Sequence, residues 1–104
     1  MKIIAVTACP VGMAHTYMAA TALKKAAEKL GVNIKVETQG SMGIRDRITE
    51  EEIQEADLFI DAADVAIIDE ERFADVPTYE TSASKVIRKA EKIIKEAMEE
   101  LEDQ

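Results

Sequence analysis

Cys9 and His15 are the single cysteine and the single histidine of the chain, and they share one short stretch, CPVGMAHTYMAA. A thiol offers a nucleophile and an imidazole a proton donor or acceptor near neutral pH, so the pair points to covalent chemistry on a small electrophilic group. Pro10 drives Cys9 toward an extended conformation and contributes no N–H of its own. The free backbone donors of the loop are therefore those of Val11, Gly12, Met13, Ala14, His15 and Thr16. Gly12 permits a tight turn or a close approach to a ligand, and a helix beginning near His15 aims its unpaired N–H groups back at the loop. That arrangement suits an anion. It would favour the thiolate of Cys9, and afterwards a phosphoryl group carried on its sulfur. Each residue also has a plainer reading: Cys9 as a small buried hydrophobe, His15 as a helix cap or partly buried side chain, Met13 and Met18 as packing. One Cys and one His are too few for a metal site, and none is expected. No cofactor motif is present: neither G-x-x-x-x-G-K-[ST] nor G-x-G-x-x-G occurs, and a single Cys excludes a C-x-x-C redox pair.

The elements that must hold this loop follow from hydrophobic periodicity. KIIAVTA (Lys2 to Ala8) is a nearly continuous apolar run rich in β-branched residues, as a strand buried on both faces requires. From Thr16 onward Met18, Ala19, Ala22, Leu23, Ala26 and Leu30 recur at helical spacing, and Gly31 provides the stop. NIKVETQ alternates and reads as a strand with one buried face; GSMG reads as a loop. Thr49 and Glu52 form a capping box for a short helix. Leu58 to Ala63 is a third strand and Val76 to Tyr79 a fourth. Ala83, Val86, Ile87, Ala90, Ile93, Ile94, Ala97, Met98 and Leu101 trace the apolar stripe of a long last helix. Alternating strands and helices predict an α/β fold: an open four-stranded parallel sheet of order 2-1-3-4, with helices on both faces in a three-layer sandwich. In that order the loop after strand one lies at the switch point, where ligands bind in such sheets.

Composition bounds the partners. The 104 residues, 47% hydrophobic, suffice for one core, so residues 1–104 are read as a single domain whose acidic tail, from about residue 99, frays. The net charge of −8 argues against nucleic acid, although the basic residues concentrate in the first half, where a phosphorylated partner could be attracted. Arg45 and Arg47, after the second strand, either flank the Cys loop or lie on solvated surface. No stretch is apolar enough to span a bilayer and the N-terminus does not resemble a signal peptide, so a cytoplasmic location is expected.

A low-molecular-weight tyrosine phosphatase also attacks phosphate with a Cys, at the head of a C-x5-R-[ST] loop. Here the sixth position after Cys9 is His15, which lacks the bidentate fork of arginine, and no Asp-Pro supplies a general acid. Hydrolysis is disfavoured. CPVGMAHTYMAA instead resembles the active-site signature of the fructose-type enzyme IIB domain of the bacterial phosphoenolpyruvate-dependent sugar phosphotransferase system. KVETQGSMG resembles that family's second strand and following loop, and the likeness continues through ITEEEIQEADLFIDAAD, ERF and TS. Val11 departs from the threonine expected after Pro10, which removes a hydroxyl but keeps the amide. The resemblance implies a phosphotransferase in which Cys9 accepts phosphate from a phosphohistidine on enzyme IIA. Cys9 would then pass it to a fructose-like sugar bound in the membrane component, enzyme IIC, the sugar being reached only through IIC. Met13, Tyr17, Arg45 and Arg47 would then belong to the docking rim, and the domain would sit against the inner face of the membrane through a IIC on a separate chain or in a longer parent protein. A regulatory phosphoacceptor that passes nothing to sugar is the alternative from another class.

Overall fold

The computed structural model describes residues 1–10, 13–40 and 43–103, with the backbone alone at Met13. Val11, Gly12, Ser41 and Met42, and with them part of the expected phosphate loop and of the GSMG loop, lie outside the described residues, as does the side chain of Met13. Strand β1 (Lys2–Ala8) leads into helix α1 (Met13–Leu30), β2 (Asn33–Gly40), β3 (Gly43–Arg45), α2 (Glu50–Glu55), β4 (Leu58–Ala63), a 3₁₀ turn over Glu70–Phe73, β5 (Thr78–Glu80) and α3 (Ala83–Glu102). The sheet runs β3-β2-β1-β4-β5. β1 pairs in parallel with β2 and β4, and β4 with β5, while β3 returns antiparallel on β2.

The expected four-stranded, all-parallel sheet is therefore corrected to five strands in a mixed sheet; its parallel part keeps the expected order and the three-layer α/β architecture stands. β3 was not legible because three residues are too few to show an alternating period. Gly43, at φ 101°, takes up the backbone geometry that brings the chain back along β2. β5 begins at Thr78 rather than Val76 because Pro77 has no N–H to give a neighbouring strand. Pro77 instead accepts the Phe59 N–H through its carbonyl at 2.8 Å, and Val76 turns into the core.

Successive residues of β1 supply two cores, as the pleat demands. Ile3 and Ala5, with Val36, Leu58 and Ile60, pack under α1 and α3; Ile4 and Val6, with Phe59, pack against Ile48, Ile67, Phe73 and Val76. Burying one such isoleucine contributes about 1.5–3 kcal/mol. α1 ends as the sequence requires: Gly31 sits at φ 73°, and the Val32 N–H donates to the Ala27 carbonyl at 3.0 Å, closing a Schellman motif. The capping box of α2 is formed, the Glu52 N–H donating to Thr49 Oγ1 at 3.1 Å and the Thr49 N–H to Glu52 Oε1 at 2.8 Å.

α3 runs through the acidic segment to Glu102 and departs from helical geometry at Lys89 (φ −151°, ψ 49°), while Val86, Ala90, Ile93, Ile94 and Ala97 remain buried along it. Its side chain Glu96 accepts from the Tyr79 hydroxyl at 2.9 Å. Burial, then this bond, push the Tyr79 phenol up to about 12.

Candidate functional site

Cys9 follows the last residue of β1 directly and is 8% exposed. Its Sγ lies 3.1 Å from His15 Nδ1. α1 begins at Met13, two residues before the start expected near His15. Met13, Ala14 and His15 thus form its first turn, where backbone N–H groups have no acceptor inside the helix and carry the positive end of its dipole. Ala14 is exposed and His15 half-buried. Thr16 is buried in the wall behind the loop, its carbonyl accepting the Thr7 hydroxyl at 3.2 Å. Thr7 thereby ties the end of β1 to the start of α1 and fixes the height at which Cys9 meets the helix.

Tyr17 is half-buried, and its hydroxyl has no hydrogen-bond partner among the described residues. The Arg45 guanidinium lies 5.7 Å from the centre of the Tyr17 ring, within the range of a cation–π contact. Since Arg45 is opposite Thr38, and Thr38 opposite Thr7, the fold brings Arg45 to the same end of the sheet as the Cys9 loop. Arg47 is placed differently. It pairs with Asp69 at 3.0 Å, on the segment between β4 and β5.

Two features were missed from the sequence. The first is Asp64, the residue after β4, whose carboxylate lies in one cluster with Cys9 and His15, the three ligand-type atoms all within 4.8 Å of one another. Its N–H donates to the Ala8 carbonyl at 2.7 Å and its Oδ1 accepts the Ala83 N–H at 3.2 Å. Asp64 therefore links the end of β1 to the amino end of α3. The signal that would have found it is position: a polar residue at the carboxyl end of a strand adjoining β1, where ligands of such sheets bind.

The second is a buried polar network beside the site. NIKVETQ reads as a one-faced strand, but Glu37, Thr38 and Gln39 are all buried. Glu37 is 0% exposed and accepts from Arg72 Nη1 at 3.0 Å, Arg72 Nη2 at 2.9 Å, Gln39 Nε2 at 2.8 Å and the Ile48 N–H at 2.9 Å. Burial opposes ionisation, yet these bonds outweigh it and hold the carboxyl below its ordinary value. Glu37 in turn raises Arg72 above the usual guanidinium value, chiefly through the hydrogen bonds. Gln39 Oε1 accepts the Ile68 N–H at 2.9 Å, and Arg72 Nε donates to the Asp69 carbonyl at 2.9 Å. Asp69 holds the left-handed conformation at φ 57°, which Asp tolerates better than most residues. The network fastens the segment after β4 to β2 through Ile68 and Arg72, and through the Ile48 N–H it fastens the residue next to Arg47 as well.

No helix among the described residues is long and apolar enough to cross a membrane. A family model described as "PTS system, Lactose/Cellobiose specific IIB subunit" matches residues 4–96. The "PTS system fructose-like EIIB component 2" of Escherichia coli is 48% identical over 93 residues, covering 89% of this chain and 88% of that one. The "PTS system 2-O-alpha-mannosyl-D-glycerate-specific EIIABC component" of the same organism is 49% identical over 96 residues, which are 92% of this chain but 15% of that protein. The solution structure of an Enzyme IIB subunit of a PTS system from Escherichia coli superposes with a TM-score of 0.90 at 45% identity, covering 99% of this chain and 97% of that one. A cysteine at the switch point of a three-layer α/β sheet and a family match over nearly the whole length agree: the chain belongs to the IIB family of the sugar phosphotransferase system, among its fructose-type members, a family whose role is phosphoryl relay.

Proposed function

We propose that Cys9 is the acceptor of the relay, taking a phosphoryl group from a phosphohistidine of enzyme IIA and yielding it to a fructose-like sugar held by the membrane component IIC. The observation that carries this reading is the 3.1 Å approach of Cys9 Sγ to His15 Nδ1 at the amino end of α1. The thiol proton passes to His15 Nδ1, sulfur attacks phosphorus, and the N–P bond breaks with its electron pair left on the donor ring, which carries a proton on its other nitrogen and so departs as neutral imidazole. The S–P ester so formed is met by the N–H groups of the first turn of α1 and by the now cationic His15. In the second transfer a sugar hydroxyl attacks phosphorus, its proton going to a base of the membrane partner, and the S–P electrons return to Cys9. Met13, Ala14 and His15 would supply the donors, together with Val11 and Gly12; Thr16 would contribute only through its backbone. The lack of arginine at the sixth position after Cys9 supports transfer over hydrolysis, since no bidentate fork meets the transferring phosphoryl group there.

The test is incubation with phosphorylated IIA, a IIC-containing membrane and a panel of sugars. Sugar phosphate should form only when all components are present. A labelled chain that never yields sugar phosphate would assign the regulatory alternative instead. His15→Ala should slow acceptance roughly a hundredfold or more without abolishing it, because a positioned proton-transfer group contributes about 10²–10⁴ and the backbone donors remain. Stopped-flow transfer at the parent rate would reduce His15 to a structural residue.

Docking would engage the rim around Tyr17 and Arg45, beside a shallow groove lined by Tyr17, Met18, Thr21, Ala22, Lys25 and Ile87. Arg45 would steer an anionic donor, so Arg45→Glu should lower the second-order rate of acceptance at low salt. The deficit should shrink as salt shortens the Debye length to ~10 Å at 0.1 M. Equal rates at low salt would take Arg45 off the docking face.

A further inference from the structure

The geometry points to a second occupant of the same corner: a divalent, thiophilic cation of the zinc class, held by Cys9 Sγ, His15 Nδ1 and an oxygen of Asp64, whose binding excludes phosphorylation of Cys9. Counting cysteine and histidine alone gave two ligands. The fold adds a carboxylate, and the three ligand-type atoms lie within 4.8 Å of one another. Bonds of about 2.3 Å to sulfur and 2.0–2.2 Å to nitrogen and oxygen, in tetrahedral array, place such atoms roughly 3.3–3.6 Å apart. The Sγ to Nδ1 separation of 3.1 Å is near that value, and the remaining closure falls to the Asp64 carboxylate.

That carboxylate is already oriented from behind. Its Oδ1 accepts the Ala83 N–H at 3.2 Å, and a bond of this kind is how metal-binding carboxylates are commonly fixed. Asp64 is exposed, so the corner opens to solvent. Three protein ligands with a fourth position open to water is a coordination that zinc accepts. Thiolate with imidazole selects zinc-class metals over magnesium, which keeps its waters and binds oxygen. On binding, the Cys9 thiol releases its proton to solvent, the S–metal bond forms, and the lone pair that would attack phosphorus is engaged. The exclusion of phosphate rests on the reading of Cys9 as the acceptor; the metal site itself does not.

Titration of Co²⁺ and of Zn²⁺ into the full unphosphorylated chain tests the site without any transfer assay. One metal should bind per chain in the presence of excess Mg²⁺, and cobalt should develop a thiolate-to-metal charge-transfer absorption in the near ultraviolet that is lost in Cys9→Ser. Asp64→Asn, which keeps an oxygen for the Ala83 N–H, and His15→Ala, a helix-favouring replacement in the first turn of α1, should each weaken binding at least tenfold with unchanged circular dichroism. Absence of the charge-transfer band, or an affinity in Asp64→Asn equal to that of the parent, overturns the three-ligand site. In a second arm, labelling by phosphorylated IIA should fall in proportion to zinc occupancy. Undiminished labelling at full occupancy overturns the exclusion, whereas a chain never labelled with or without zinc defeats the acceptor reading and leaves the titration result standing.

Discussion

Cys9→Ser should accept no measurable phosphate from phosphorylated IIA, while its fold and thermal stability should remain close to those of the parent. The substitution exchanges sulfur for oxygen at one position at the end of β1, where the residue is 8% exposed and its side chain contacts His15, so little packing changes. Chemically the change is large. A serine hydroxyl beside a single histidine, with no third group in the described site shown orienting that imidazole, is a far weaker nucleophile than a thiolate facing a helix amino end. Loss of the nucleophile in a covalent catalyst costs on the order of 10⁶ in rate, and acceptance should fall below detection. Labelling of Cys9→Ser at even a hundredth of the parent rate would remove Cys9 from the centre of the account.

The largest stability effect falls on a residue far from the sulfur in sequence. Arg72→Ala leaves Glu37, 0% exposed, with two of its four bonds and no opposite charge. Removing one partner of a buried pair costs about 3–5 kcal/mol, a large share of the total stability of a domain of this size. Urea denaturation should show this as a lowered midpoint with unchanged slope. The pH dependence has a definite sign. Because the folded-state pKa of Glu37 lies below its ordinary value, the stability it contributes is fully present above the unfolded-state pKa and is lost as pH falls through the folded-state one. The parent should therefore lose stability on acidification from around the ordinary glutamate value downward. Arg72→Ala should lose less over that same range, because its Glu37 no longer favours the ionised form. Combining Glu37→Gln with Arg72→Met should recover much of the loss, since an uncharged couple leaves no stranded charge. An Arg72→Ala variant within 1 kcal/mol of the parent would show that water reaches and satisfies Glu37.

What could be read from the sequence and what could not divide along physical lines. β1 and α3 were legible because a long apolar run and a sustained helical stripe are dictated by the layers they are buried between. The capping box at Thr49 and the stop at Gly31 were legible because caps are local chemistry. β3 was hidden by its length. Glu37 and Gln39 read as solvent-facing because alternation records polarity, and polarity is a guide to exposure only when no partner arrives from elsewhere. Arg72 arrives from 35 positions downstream. The same holds for the site. Cys9 and His15 are neighbours in the chain, so their meeting across one loop could be foreseen. Asp64 joins them only because β4 lies beside β1 in the sheet, and Arg45 and Arg47, two residues apart, part company because one faces Tyr17 while the other is claimed by Asp69.

The central claim is that phosphate resides on the sulfur of Cys9 during the relay. Phosphorus NMR of the full chain after incubation with phosphorylated IIA, joined to peptide mapping by mass spectrometry, reads this directly. One phosphoryl group per chain should appear, with the shift of a phosphothiol and on the peptide containing Cys9; a phosphoryl group on His15 nitrogen, or on any peptide lacking Cys9, would contradict the account.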